Sequence, residues 1–152
     1  MKFVQSVSLV ALLLSTGASL RAQQVHSISD VYRPEANAIY EIDSVVAMAQ
    51  VSEKHVFIMI GGNWCKWCRL FDKWSSETAQ VDSLIKADYV TLHVNYSKEN
   101  KNPAALQRFG YPQRFGFPVF IILDGQGNRL HTQNTAYLEE GEGYSEKKSP
   151  NS

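Results

Sequence analysis

Cys65 and Cys68 are the only cysteines among 152 residues, and two residues separate them. A thiol pair at that spacing can close to a disulfide and reopen by exchange with an external thiol or disulfide. Spacing alone leaves two plainer uses open. A fixed cross-link is one, although so short a loop removes little entropy from the unfolded chain. A zinc site is the other, and it needs four ligands, or three and a water. No second cysteine pair exists, and His26, His55, His93 and His131 are scattered along the chain, so the reading includes no metal. The flanks favour exchange. An apolar run over 55–60 leads into Trp64-Cys65-Lys66-Trp67-Cys68, and a stretch of helical periodicity over 66–78 follows it. Strand, Cys-x-x-Cys, helix is the context in which this spacing reads as a redox pair.

The elements that must position the pair follow from the apolar periodicities. Ala38, Ile39, Ile42, Val45, Val46, Ala49 and Val51 recur at helical spacing behind Pro34, which predicts a helix over 33–54. The unbroken run Val56-Phe57-Ile58-Met59-Ile60, closed by Gly61-Gly62, predicts a strand buried on both faces. Leu70, Phe71, Trp74 and Thr78 give the next helix its face, and 79–87 forms a second short piece. Residues 89–94 are rich in β-branched and aromatic types and predict a strand parallel to the first. A short helix then runs over 104–109, opened by Pro103 and ended by Gly110. A third strand over 117–123 turns at Asp124-Gly125-Gln126-Gly127 into a return strand over 128–132. The sum is an α/β fold with a mixed central sheet and helices on both faces.

Composition narrows the classes of function. Fifteen basic residues balance fifteen acidic ones, and no basic stripe or charge block is present. Nucleic-acid binding therefore has no electrostatic footprint. Residues 1–22 read as a signal peptide: Lys2, an apolar run over 7–18, then small residues ending at Ala22, with a cut after Ala18 as the competitor. Export to the periplasm or the exterior follows, with no membrane contact after cleavage. Removing 1–22 takes Lys2 and Arg21 from the basic count and nothing from the acidic one. The folded unit is then read as 23–135, a monomer of ordinary single-domain size. Residues 136–152 are read as a polar C-terminal tail, either disordered or truncated.

With these elements in place the sequence resembles the thioredoxin superfamily, most closely its exported bacterial thioredoxin-like members. Trp64-Cys65-x-x-Cys68 between strand and helix, Gly116-Phe117-Pro118 opening the third strand, and the Gly-containing hairpin after it carry the resemblance. It implies a thioredoxin-like fold, a cis bond before Pro118, and a substrate surface formed by Phe117 and Pro118. Three departures accompany it. Met59 stands where the family has a buried carboxylate. The dipeptide between the cysteines is Lys66-Trp67 rather than Gly-Pro. No apolar helix follows Thr135.

The implied chemistry is thiol–disulfide exchange without a cofactor. Cys65, at a helix N-terminus, is the nucleophile, because backbone N–H groups and the helix dipole favour its thiolate. Lys66 adds a neighbouring cation that tunes the thiol pKa. Cys68, one turn on, is the resolving cysteine. Trp64 and Trp67 flank the thiols and, with Phe117 and Pro118, form the substrate-binding surface. The partners are protein dithiols or disulfides and an unidentified redox partner. The alternative is a non-catalytic thioredoxin-fold binding module that uses the same aromatic surface.

Overall fold

A computed structural model describes residues 30–145. Helix α1 (Ala38–Ser52) leads into strand β1 (His55–Gly61), and helices α2 (Lys66–Glu77) and α3 (Ala79–Asp88) carry the chain to strand β2 (Tyr89–Asn95). Helix α4 (Pro103–Arg108) and a 3-10 turn (Pro112–Phe115) precede strands β3 (Val119–Leu123) and β4 (Arg129–Asn134). A second 3-10 turn (Thr135–Leu138) and two short strands, β5 (Glu139–Glu140) and β6 (Gly143–Tyr144), complete the described chain. The signal peptide expected over 1–22 lies outside the described residues.

The sheet order is β2-β1-β3-β4. β1 and β2 run parallel, and β3 pairs antiparallel with both β1 and β4. Strand alternation then divides the core into two layers. Val56, Ile58 and Ile60 of β1 face α1 and α4, packing with Ile42, Ala49, Leu106, Val94 and Ile121. Phe57 and Met59 face the other way, onto Phe71, Phe120 and Tyr144, with Trp67, Trp74 and Ile85 at the margin. The mixed sheet with helices on both faces is as the periodicities require. β1 is central and apolar on both sides, so it is the rigid floor from which the Gly61-to-Cys65 connection emerges.

Three boundaries differ from the sequence reading. α1 starts at Ala38 rather than Arg33, because the Asn37 side chain accepts from the Ile39 and Tyr40 N–H groups and caps the helix there. β3 starts at Val119, leaving Phe117 and Pro118 in the loop before it. The polar tail expected from 136 needs correction for 136–145. These residues build the second turn and the β5–β6 hairpin, and Tyr144 is buried against α2.

Candidate active site

The site is built at the C-terminal end of β1. Gly61 ends the strand and Gly62 follows it, and both positions exclude a side chain. A Cβ on Gly61 would lie 2.5 Å from the Cys68 Sγ, and one on Gly62 would lie 2.4 Å from the Trp64 Nε1. The chain turns at Asn63 and Trp64, and the Cys65 N–H donates to the Gly62 carbonyl at 3.0 Å. Cys65 is the N-cap of α2, and its sulfur accepts from the Cys68 N–H at 3.2 Å. A thiolate at this position would meet the free N–H end of a helix whose first turn carries no acidic residue. Cys65 and Cys68 are joined as a disulfide with Cα atoms 5.3 Å apart.

An aromatic rim stands beside the disulfide. Trp64 is 58% exposed and donates from its indole N–H to the Tyr96 carbonyl at 2.7 Å. Its ring meets Phe117 edge to face at 5.5 Å, and Phe117 lies against Tyr96 at 4.7 Å. Phe117 also packs on the cluster that contains Cys65 and Cys68. The Phe117–Pro118 peptide bond is cis, as the resemblance implies. Pro118 itself is fully buried, and its carbonyl accepts from the Thr135 hydroxyl at 2.6 Å.

The remaining residues singled out from the sequence fall in different places. Trp67 is half-buried between the disulfide cluster and Tyr144, whose ring stands 5.6 Å away and whose hydroxyl donates to the Trp67 carbonyl at 3.3 Å. Lys66 is exposed at the first residue of α2. Met59 is buried in the apolar layer under α2. No group of three or more His, Cys, Asp or Glu side chains suited to a metal ion occurs among the described residues.

Three residues near the disulfide escaped sequence reasoning. Tyr32, upstream of α1, is 1% exposed and packs directly on Cys65 and Cys68. His93 lies on β2 opposite Met59 in the parallel register, and its ring meets Tyr32 edge to face at 5.1 Å. Asp72 on α2 places Oδ1 3.2 Å from the His93 Nε2. That pair is close enough for an ion pair when His93 is protonated but is not aligned as a hydrogen bond. Burial, then the charges of Asp72 and Tyr144, hold the Tyr32 phenol well above its ordinary value. Asp72 could have been found, since it lies one turn beyond Cys68 on the same helix. Tyr32 sits in a short segment with no periodicity, so no local signal marks it.

A family model described as thioredoxin-like matches residues 37–125. The chain belongs to the thioredoxin-like family. Among its relatives is the thiol:disulfide interchange protein DsbD of Photorhabdus laumondii, 26% identical over 137 residues, which are 85% of this chain and 22% of that protein. DsbD of Escherichia coli K12 is 27% identical over 136 residues, 84% of this chain and 22% of the relative. The chain thus spans about a fifth of the length of these curated relatives. A disulphide isomerase from Xylella fastidiosa has the same fold, with a TM-score of 0.64 at 23% identity over 70% of this chain and 80% of its own. The thioredoxin-like match begins after Tyr32 and ends before β4.

Proposed function

We propose that this chain is a thiol–disulfide oxidoreductase acting on protein substrates through Cys65 and Cys68. The observation that carries the reading is the Cys65–Cys68 disulfide at the N-cap of α2, beneath an exposed aromatic rim. Cys65 is the attacking thiol, because the free N–H groups of α2 favour its thiolate, with exposed Lys66 as an adjacent cation. Its thiolate attacks a substrate disulfide. One substrate sulfur leaves with the bonding electron pair and takes a proton, and a mixed disulfide remains on Cys65. Cys68 then attacks the Cys65 sulfur, the second substrate thiol departs, and the internal disulfide closes. The same steps in reverse oxidise a substrate dithiol. No step calls for a cofactor.

Trp64 and Phe117 are the substrate contacts in this reading. Pro118 and Trp67 support them from beneath, Pro118 through its buried position and Trp67 through Tyr144. The curated relatives are named as thiol:disulfide interchange proteins, which supports the same chemistry. The apolar leader read over 1–22 supports an exported location, periplasmic or secreted, in a compartment where disulfides persist. No helix among the described residues is long and apolar enough to cross a membrane. An insulin-reduction assay tests the reading: the protein should accelerate dithiol-driven reduction, and Cys65→Ser should abolish it. Equal rates for the parent and Cys65→Ser would sink the proposal. Cys68→Ser should accumulate mixed disulfides that a second thiol releases.

A further inference from the structure

The exchange steps leave a thiolate on Cys68, and Cys68 is 2% exposed. A buried thiolate is costly unless a donor meets it. Cys65 has the end of α2 for that purpose, whereas Cys68 lies inside the first turn. The family's buried carboxylate is no part of the surroundings, because Met59 fills that position.

Tyr32 occupies the space behind the sulfur. Its hydroxyl and the Cys68 Sγ converge on the gap left by the missing side chain of Gly61: a Cβ there would lie 2.9 Å from the hydroxyl and 2.5 Å from the sulfur. Its backbone is held by Asn63, whose Oδ1 accepts from the Tyr32 N–H at 3.0 Å and whose Nδ2 donates to the Tyr32 carbonyl at 2.7 Å. Asn63 is also in the turn that delivers Cys65, so one side chain sets both the turn and the tyrosine. The ring is fixed edge-on against His93, at an interplanar angle of 82°.

We infer that the Tyr32 hydroxyl is the hydrogen-bond donor that receives the Cys68 thiolate, with Asn63 and His93 as its positioning residues. The inference rests on the exchange reading and deepens it. When an incoming thiolate attacks the Cys65 sulfur, the Cys65–Cys68 bond breaks and its electron pair stays on Cys68. Tyr32 donates its O–H to that sulfur and keeps its proton. In the opposite direction the same contact holds Cys68 as thiolate until it attacks Cys65 and the substrate sulfur leaves. Burial keeps the phenol protonated across the range in which thiols ionise. The titratable groups around the pocket are His93 from β2, Asp72 from α2 and Tyr144 from β6, with Lys66 exposed at the start of α2. β1 contributes Met59 and Gly61, and the loop before β3 contributes Phe117 and Pro118, none of which ionises.

The test is a direct titration of Cys68. In Cys65→Ser protein Cys68 is the sole thiol, and the carbon-13 shift of its Cβ reports ionisation whether or not the protein turns over substrate. Adding Tyr32→Phe keeps the ring and removes the donor. The midpoint should rise, with a loss of about threefold to tenfold in the ionisation constant, the size of one hydrogen bond. Asp72→Asn perturbs the same pocket without touching the hydroxyl and should leave the midpoint unchanged or lower it, since it removes a negative charge. An unchanged midpoint in Tyr32→Phe overturns the inference. So does an equal rise in both variants, which would mark general loosening of the pocket. Failure of the insulin assay would count against the exchange reading alone, because this titration does not depend on turnover.

Discussion

Gly61 is hemmed in by two groups that belong to the site, the sulfur of Cys68 and the hydroxyl of Tyr32. Gly61→Ala must displace one of them. Overpacking of this kind costs about 1–3 kcal/mol, so urea melts of oxidised protein should show that loss, and the redox potential of the pair should move with it. A potential and midpoint both equal to the parent's would contradict the close approach. Trp64 sits on the outer side, so Trp64→Ala should raise the KM for a protein substrate several-fold and spare the reaction with a small disulfide. Steady-state assays with the two substrates separate these effects. At this scale the sequence was informative where chemistry is local. The cysteine spacing, the preceding Trp64 and the Phe117-Pro118 dipeptide all announce themselves within a few residues. Tyr32 does not, because its role comes from a contact across more than thirty residues and from the absence of a side chain at Gly61.

The two longest helices are each capped by a side chain at the start. Asn37 caps α1 and Cys65 caps α2, so the cap of α2 is itself the reactive residue. Asn37→Ala should cost about 1 kcal/mol by denaturant titration without altering exchange, since α1 packs on the face of the sheet away from the disulfide. The β5–β6 hairpin has a different hold on the site. Tyr144 packs against Trp67, Phe71 and Trp74 of α2 and bonds to the Trp67 carbonyl. Tyr144→Ala should therefore cost about 3 kcal/mol and broaden NMR signals from the first turns of α2. The long apolar elements were legible because several side chains repeat on one face. The hairpin was not, because two-residue strands carry no periodicity and a single tyrosine makes most of the contact. The boundary at Ala38 was readable in principle, from Asn37 as a capping residue rather than from Pro34.

Across the whole molecule, two buried phenols tie stability to alkaline pH. Burial, then Asp72 and Tyr144, raises the pKa of Tyr32. Burial, then Glu139, raises that of Tyr144 against a smaller lowering by Thr135. A phenol that holds its proton more tightly when folded contributes fully below its ordinary value of 10.0 and loses that contribution as pH climbs above it. There the unfolded chain binds fewer protons than the folded one, so stability falls as pH rises. Urea midpoints should decline as pH rises above about 10, and less steeply in Tyr144→Phe; equal slopes would contradict the coupling. The α/β architecture, the parallel β1–β2 pair and the two-sided core were written in the apolar pattern, whereas the way both ends of the described chain fold back on α2 and the disulfide was not. That return of the ends has a practical side. A recombinant fragment trimmed to the 37–125 family match, or begun at the first regular helix, would keep the cysteines and most of the sheet. It would lack the wall behind Cys68, and trimmed at 125 it would also lack the brace beneath Trp67. Its measured potential would describe a hollowed version of the site and not the protein's own.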